Sequence, residues 1–588
     1  MKALLAGALL LAFALPAAAA PSPAVWLKAV IADYDRFSRE LDPVSAGLEG
    51  DQTALRRWPD DSEAALAAHK AALKRFQVRL AALKRARLAP EDELNRAYLA
   101  WLVDDALEGY GFDQEREPFS TDTGPFDTPD YVARTTAMHT RADAEAWLAR
   151  LRALPAFYDV EIADARRGIA TGFMQPRAIA QKVLDAARPR AAERAEDSVL
   201  LIPFKQLPAA MPAADQAALR EEALAVVQGQ IKPTERAYVA MLEHDYLPAA
   251  KDSLAARSLP DGERYYAWLV RHHTTTSLTP DQIYQIGVDE VARIKGRMAQ
   301  VMAQAGFKGS LADFLAFLRA DPRFYAKTPD ELLAAAAMID KRIDDKLPAY
   351  FATLPRLTFG VRPVPAEMAD GYTSARYWQG SPDQGIAGGF MVNTSHLDQR
   401  PLYELPALAL HESIPGHHLQ IALQQERKDL PFFRRNGSND AYVEGWALYS
   451  EGLGEEMGIY QGPYETFGRL SMEMWRACRL VADTGLHWMG WSREQAKACF
   501  VENTALAPKN IDVELDRYIS WPGQALAYKI GELNILALRR KAEAALGPRF
   551  DIRRFHDQIT LPGPLPLELL DQRVSAWIDA EKLRPAGR

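Results

Sequence analysis

Apolar residues recur every three or four positions through most of this chain and strict alternation is scarce, so the pattern predicts helices far more often than strands. From residue 21 to about residue 270 one amphipathic helix follows another; residues 64–83, with Lys or Arg between the apolar positions, are the clearest. Pro203, Pro208 and Pro212 mark a joint in that series. Thr279-Pro280-Asp281-Gln282 and Thr328-Pro329-Asp330-Glu331 each present a capping hydroxyl, a proline at the first helical position and an amide or carboxylate at the third. Ser492-Arg493-Glu494-Gln495 repeats the box without proline. Between residues 354 and 393 the composition shifts to Pro, Gly and aromatic side chains, and residues 357–364 and 389–394 read as strands of a small sheet. Residues 388–393 are the candidate edge strand for pairing with an extended ligand backbone, a role that a structural hairpin accounts for equally well.

The apolar run 405–423 is interrupted by His411-Glu412-Ser413-Ile414-Pro415-Gly416-His417-His418. Helices that hold catalytic zinc usually place two histidines four residues apart with a glutamate after the first. Here the fourth position is Pro415, which cannot ligate, and the next imidazoles come six and seven residues after His411. In a regular helix His417 points about 120° away from His411, and His418 shares its face but lies about 10 Å along the axis. Proline removes a backbone donor and glycine tolerates unusual dihedrals, so Pro415-Gly416 is the expected site of a break that returns His417 to the phase of a ligand. His418 stays open as the alternative. The third ligand is expected from the following helix, where Glu444 stands between Val443 and the Gly445-Trp446 pair, with Glu451 two turns further on as the alternative. Histidines at a helix break and carboxylates on a solvated face are the bland readings, and the density of ligating groups argues against them.

The motif resembles that of the bacterial family labelled domain of unknown function 885. Phe390 to Thr394, Glu444-Gly445-Trp446-Ala447-Leu448-Tyr449, Asp483 to His487, Arg517-Tyr518, Pro522 to Gly531 and Asp42 to Gly47 extend the likeness over nearly the whole chain. The resemblance implies a zinc metallopeptidase-like protein, similar to those in which two histidines and a glutamate hold the metal. It further implies a large multi-helical fold, mainly α, with a central cleft and a small β-sheet beside the motif helix.

Within that expectation His411, His417 and Glu444 hold Zn²⁺, and Glu412 is the general base. Tyr528 is the first candidate for stabilising the oxyanion, with Tyr518 second, although buried tyrosines more often only pack and bond. Asn393 and Arg517 are the candidate substrate-binding residues. Arg476, Arg479 and Arg376 are candidates for gripping a substrate carboxylate. Asp483 and His487, one turn apart, are open to a role as an orienting pair or a contact behind a ligand, although structural hydrogen bonding accounts for them more readily.

Composition narrows the setting. The 588 residues are 48 % hydrophobic and 25 % charged, as in ordinary globular proteins. Residues 1–20 read as a cleavable signal peptide without a lipid-acceptor cysteine, followed by an N-terminal helical lobe, 21–275, and a catalytic lobe, 276–588. The expected product is periplasmic or secreted, with no stable membrane insertion. A formal charge of −8 gives no reason to expect a nucleic acid partner. Cys478 and Cys499 are as readily a disulfide as two small core residues. The expected partner is a short peptide; a zinc amidase acting on a cell-wall amide and a binding protein without turnover are the competing readings. Oligomeric state is left open by the sequence.

Overall fold

The structure, a computed structural model, describes residues 22–121, 123–370 and 372–584. The expected signal peptide lies outside the described residues. The protein is mainly α-helical with one small sheet, and among the described residues no helix is long and apolar enough to cross a membrane.

The periodicity is realised where it was clearest. Glu63–Leu83 forms a helix whose Leu66, Leu73, Phe76, Leu80 and Leu83 are buried at intervals of three, four and seven. Its start is fixed by Ser62, whose hydroxyl accepts from the Ala65 N–H. The joint at Pro203 to Pro212 separates a single helical turn, Ile202–Lys205, from the helix Ala213–Val226. Thr279 and Gln282 form the expected reciprocal box, as do Ser492 and Gln495. Thr328 caps Glu331, but Glu331 turns its carboxylate to the Lys327 N–H at 2.7 Å, so that box is half made.

The second half is built on the helix Gly462–His487, buried continuously from Phe467 to its end. Burial on all sides is possible because its polar residues meet opposite charges or backbone inside the bundle. A disulfide joins its Cys478 to Cys499 on the helix Arg493–Asn503. Beside it, Asp440–Glu456 packs on Ala527–Leu546 at glycine contacts. A Cβ on Gly531 would lie 1.8 Å from the Ala441 carbonyl oxygen and one on Gly445 would lie 2.5 Å from the Gly531 Cα, so the two backbones approach as closely as they do only with glycine at both positions.

The sheet has three strands, β1 (Phe359–Pro363), β2 (Ala375–Trp378) and β3 (Gly388–Val392), in the order β1-β3-β2. The strand β3 is parallel to β1 and antiparallel to β2. This corrects the expectation that residues 388–393 form an edge: β3 is the central strand, its hydrogen-bonding groups engaged on both sides, and cannot add a ligand strand. The edges are β1 and the unpredicted β2, whose four residues are too short to show a period.

Candidate metal centre

The helix Leu405–Glu412 delivers His411 and Glu412 at its last two positions and then stops. Ser413 leaves helical geometry, and its hydroxyl donates to Asp340 at 2.5 Å. A tight turn follows, held by the Trp446 indole N–H on the Pro415 carbonyl at 2.8 Å, and the helix His417–Glu426 begins. Gly416 is obligatory in this turn, since a Cβ there would lie 2.0 Å from the His411 carbonyl oxygen. The expected break is thus a complete interruption between two helices rather than a bulge in one.

The turn brings the two imidazoles to face each other, ring planes 87° apart and centroids 4.8 Å apart. Glu444, one turn into Asp440–Glu456, enters from the neighbouring helix; its Oε2 lies 3.4 Å from His411 Nε2 and 3.4 Å from His417 Nε2. Ligand atoms from His411, His417 and Glu444 all lie within 4.8 Å of one another, forming a group able to hold a metal ion. A tetrahedral zinc with ligands at about 2.0–2.1 Å has ligand-to-ligand edges of about 3.3–3.4 Å, which matches the separation of Glu444 Oε2 from each of the two imidazoles. The donor set therefore fits zinc.

Electrostatics favours a cation at the same point. Burial opposes charging His411, but the Glu444 and Glu451 carboxylates outweigh it and carry its pKa up to about 9. Burial alone would raise Glu444; the imidazoles of His417 and His411 instead hold its carboxyl well below the usual range.

Glu451 is not in the ligand group. It accepts from His411 Nδ1 at 2.8 Å and is held in turn by Arg476 at 3.2 Å. This fixes the tautomer of His411 and leaves Nε2 to face Glu444. His418 does not join either. Its Nε2 bonds the Leu357 carbonyl at 2.9 Å, its Nδ1 meets the Tyr377 hydroxyl at 3.1 Å, and burial pushes its pKa down to about 4. The ring turns to the sheet because it follows His417 by one residue, about 100° around the helix.

Glu412, 7 % exposed, accepts the Tyr377 N–H on its Oε2 at 2.7 Å. The edge strand β2 thus positions the proposed base, while the Tyr377 hydroxyl holds His418. Tyr528 stacks on His411 with centroids 6.3 Å apart and planes 16° apart, and its hydroxyl accepts from Arg517 at 3.0 Å. The Arg479 guanidinium lies 4.2 Å from the Tyr528 ring centroid.

Other expected site residues are committed elsewhere. Asn393 donates its amide N–H groups to the Ala369, Tyr372 and Thr373 carbonyls and accepts on its oxygen from the Ser395 N–H and hydroxyl, so it organises a loop and has nothing left for substrate. The Tyr518 hydroxyl accepts from Trp475 and Arg479, both at 2.7 Å. Asp483 bonds Tyr266 and the Gly523 N–H, whereas His487 bonds the Ala256 N–H and the Tyr518 carbonyl; they do not form the orienting pair. Arg376 lies over the Tyr372 ring at 5.2 Å. Sequence reasoning missed Tyr377 altogether, and nothing local distinguishes it. The role of Glu451 was legible as spacing, seven residues after Glu444, but was read as competition for the metal.

The sequence matches the family described as "Bacterial protein of unknown function (DUF885)" over residues 43–574. Among solved structures, a "putative lipoprotein from Colwellia psychrerythraea" is 28 % identical with a TM-score of 0.89, the match covering 95 % of this chain and 100 % of that one. A "putative lipoprotein of unknown function from Shewanella oneidensis" shares the fold at 18 % identity and a TM-score of 0.69, over 94 % of this chain and 99 % of that one. No curated protein matches the chain.

Proposed function

We propose that this chain, which belongs to the bacterial DUF885 family of unknown function, is an exported zinc-dependent hydrolase that cleaves amide bonds in short peptides. The observation that carries the reading is the convergence of His411, His417 and Glu444 at zinc-ligand spacing with Glu412 on the residue next to a ligand. A site with three protein ligands and an adjacent carboxylate is the composition of a catalytic centre, whereas structural zinc sites close with four protein ligands. Export is supported by the signal-like residues 1–20 and by the lipoprotein description of the Colwellia relative.

Zinc bound there supplies Lewis acidity and makes water acidic enough to attack near neutral pH. Glu412 takes the proton of the attacking water and returns it to the departing amine. The Tyr377 N–H holds one carboxylate oxygen of Glu412, so the base has a fixed direction. Tyr528 would donate to the developing oxyanion, a role supported by its ring beside His411 and by a hydroxyl that accepts from Arg517 and keeps its own proton to give. Glu451 keeps His411 Nε2 turned inward.

The test is zinc content and cleavage of a mixed peptide library by the parent and by Glu412→Gln, read by mass spectrometry. Both proteins are expected to carry about one zinc per chain, with turnover of the variant down about 10³-fold. Equal turnover in the two, or no zinc in either, defeats the proposal.

A further inference from the structure

The helix Pro329–Asp344 packs against Leu405–Glu412 and brings the carboxyl group of Asp340, 3 % exposed, to the end of that motif helix. Asp340 Oδ1 lies 2.5 Å from the Ser413 hydroxyl, and Oδ2 has no hydrogen-bond partner among the described residues. Lys341 and Asp344, the charged groups of its own helix that act on it, pair with each other at 2.6 Å. Of the elements packed on that helix, Leu405–Glu412 carries His411 and Glu412, which are engaged by Glu451 and the Tyr377 N–H, and β1 carries Arg362 at its exposed end. A buried carboxylate with one hydrogen bond is costly to ionise, and burial carries the Asp340 pKa up to about 7.

Hydrogen counting points the same way without reference to charge. The Ser413 hydroxyl has a single hydrogen. Two oxygens nevertheless stand beside its Oγ, Asp340 Oδ1 at 2.5 Å and the Ala409 carbonyl at 2.6 Å. Both separations are shorter than the usual O–H···O distance of about 2.7–2.8 Å, so each needs a hydrogen between its oxygens. A carbonyl has no proton to give. With Asp340 ionised, the hydroxyl donates to it and the Ala409 contact is left without a hydrogen; with Asp340 protonated, both contacts are filled.

Ser413 is also the point at which the two motif helices are joined. Its N–H returns to the Ala409 carbonyl at 2.9 Å, and its own carbonyl accepts from the His418 N–H at 3.0 Å, in the first turn of His417–Glu426. His411 stands two residues before Ser413, and His417 is the neighbour of His418. Whatever pins Ser413 therefore sets where the second imidazole stands relative to the first.

We propose that Asp340 is a positioning residue of the metal centre that acts as a neutral acid: it donates its proton to Ser413 Oγ, and the Ser413 hydroxyl donates in turn to the Ala409 carbonyl. This rests on the reading of His411 and His417 as metal ligands. On ionisation the Asp340 proton leaves to water, and the Ser413 hydrogen turns from Ala409 to Asp340.

The test compares the parent with Asp340→Asn, Asp340→Ala and Ser413→Ala. An amide can donate to Ser413 Oγ as a neutral acid does, so Asp340→Asn is expected to keep zinc affinity within about threefold in chelator competition at pH 6.5, whereas Asp340→Ala and Ser413→Ala each lose about tenfold or more. If Asp340→Ala does not fold, the other two variants decide the comparison. Infrared difference spectra, metal-free parent minus metal-free Asp340→Asn, are expected to show the C=O stretch of a protonated acid at pH 6 and the bands of an ionised carboxylate at pH 9. A tenfold loss in Asp340→Asn, full affinity in Ser413→Ala, or an ionised carboxylate at pH 6 overturns the proposal. A parent that binds no zinc defeats the reading of the metal centre, and the claim on its spacing with it, while the infrared bands still decide where the Asp340 proton lies.

Discussion

Two polar clusters are buried in the same helical bundle and are built in opposite ways. Lys529, 0 % exposed, meets Glu532 at 2.6 Å, Glu473 at 2.8 Å and Glu290 at 3.0 Å, and Glu473 is also held by Arg469 and Arg293. Every carboxylate there has a cation from the chain. Around His411 and His417 two imidazoles converge on one carboxylate at a separation too long for a good hydrogen bond, and His417 Nδ1 has no partner among the described residues. The first cluster supplies its own counter-charge and behaves as scaffold. The second leaves that charge to be supplied, which is the part the proposed zinc would play.

The sharpest way to break the comparison is to remove the scaffold's cation. Lys529→Met takes from buried Glu532 its ion-pair partner and from Glu473 and Glu290 one of theirs, and a loss of about 3–5 kcal/mol of stability is expected. Denaturant titration of metal-free protein checks it; a change under about 1 kcal/mol would mean that the cluster does not depend on its charges. The proposed zinc centre should respond to a change that leaves all three proposed ligands in place. Glu451→Gln weakens the hold on His411 Nδ1 and is expected to lower zinc affinity about 10–100-fold, together with a lower denaturation midpoint of the metal-free protein because buried Arg476 loses the same carboxylate. Unchanged affinity in competition with a chromogenic chelator would reduce Glu451 to packing.

The gentlest probe is pH. His411 in the metal-free protein has its pKa raised to about 9, so below that value it carries a proton that zinc must displace. Apparent zinc affinity should therefore climb about tenfold per pH unit between roughly 7 and 8.5. The same shift stabilises the metal-free fold below about pH 6.5, where folded and unfolded His411 are both charged and the ion pairs are intact, and that stabilisation fades as pH rises through 9. A flat affinity profile would show that His411 is already neutral.

The helical class, the capped helix starts and the broken motif were legible because each is written in a few neighbouring residues. The phase of His417 could be argued from 3.6 residues per turn, but the choice between His417 and His418 needed Leu357 and Tyr377, which lie far away in sequence. Strand β3 was found and misplaced for a related reason: its own residues say that it is extended, while its rank in the sheet depends on β2, a four-residue segment without a pattern. Asn393 looked available because an isolated polar residue after an apolar strand does not announce that three carbonyls already claim it.

The glycine contact between Gly445 and Gly531 sets more than a packing distance. Gly445 is the immediate neighbour of Glu444, so the gap between those two helices acts as a gauge for how far that carboxylate extends toward the imidazoles. A lineage that exchanged either glycine for alanine would keep every proposed ligand and yet inherit a pocket of different bore, so that a proposed choice of metal would be altered by carpentry rather than by chemistry.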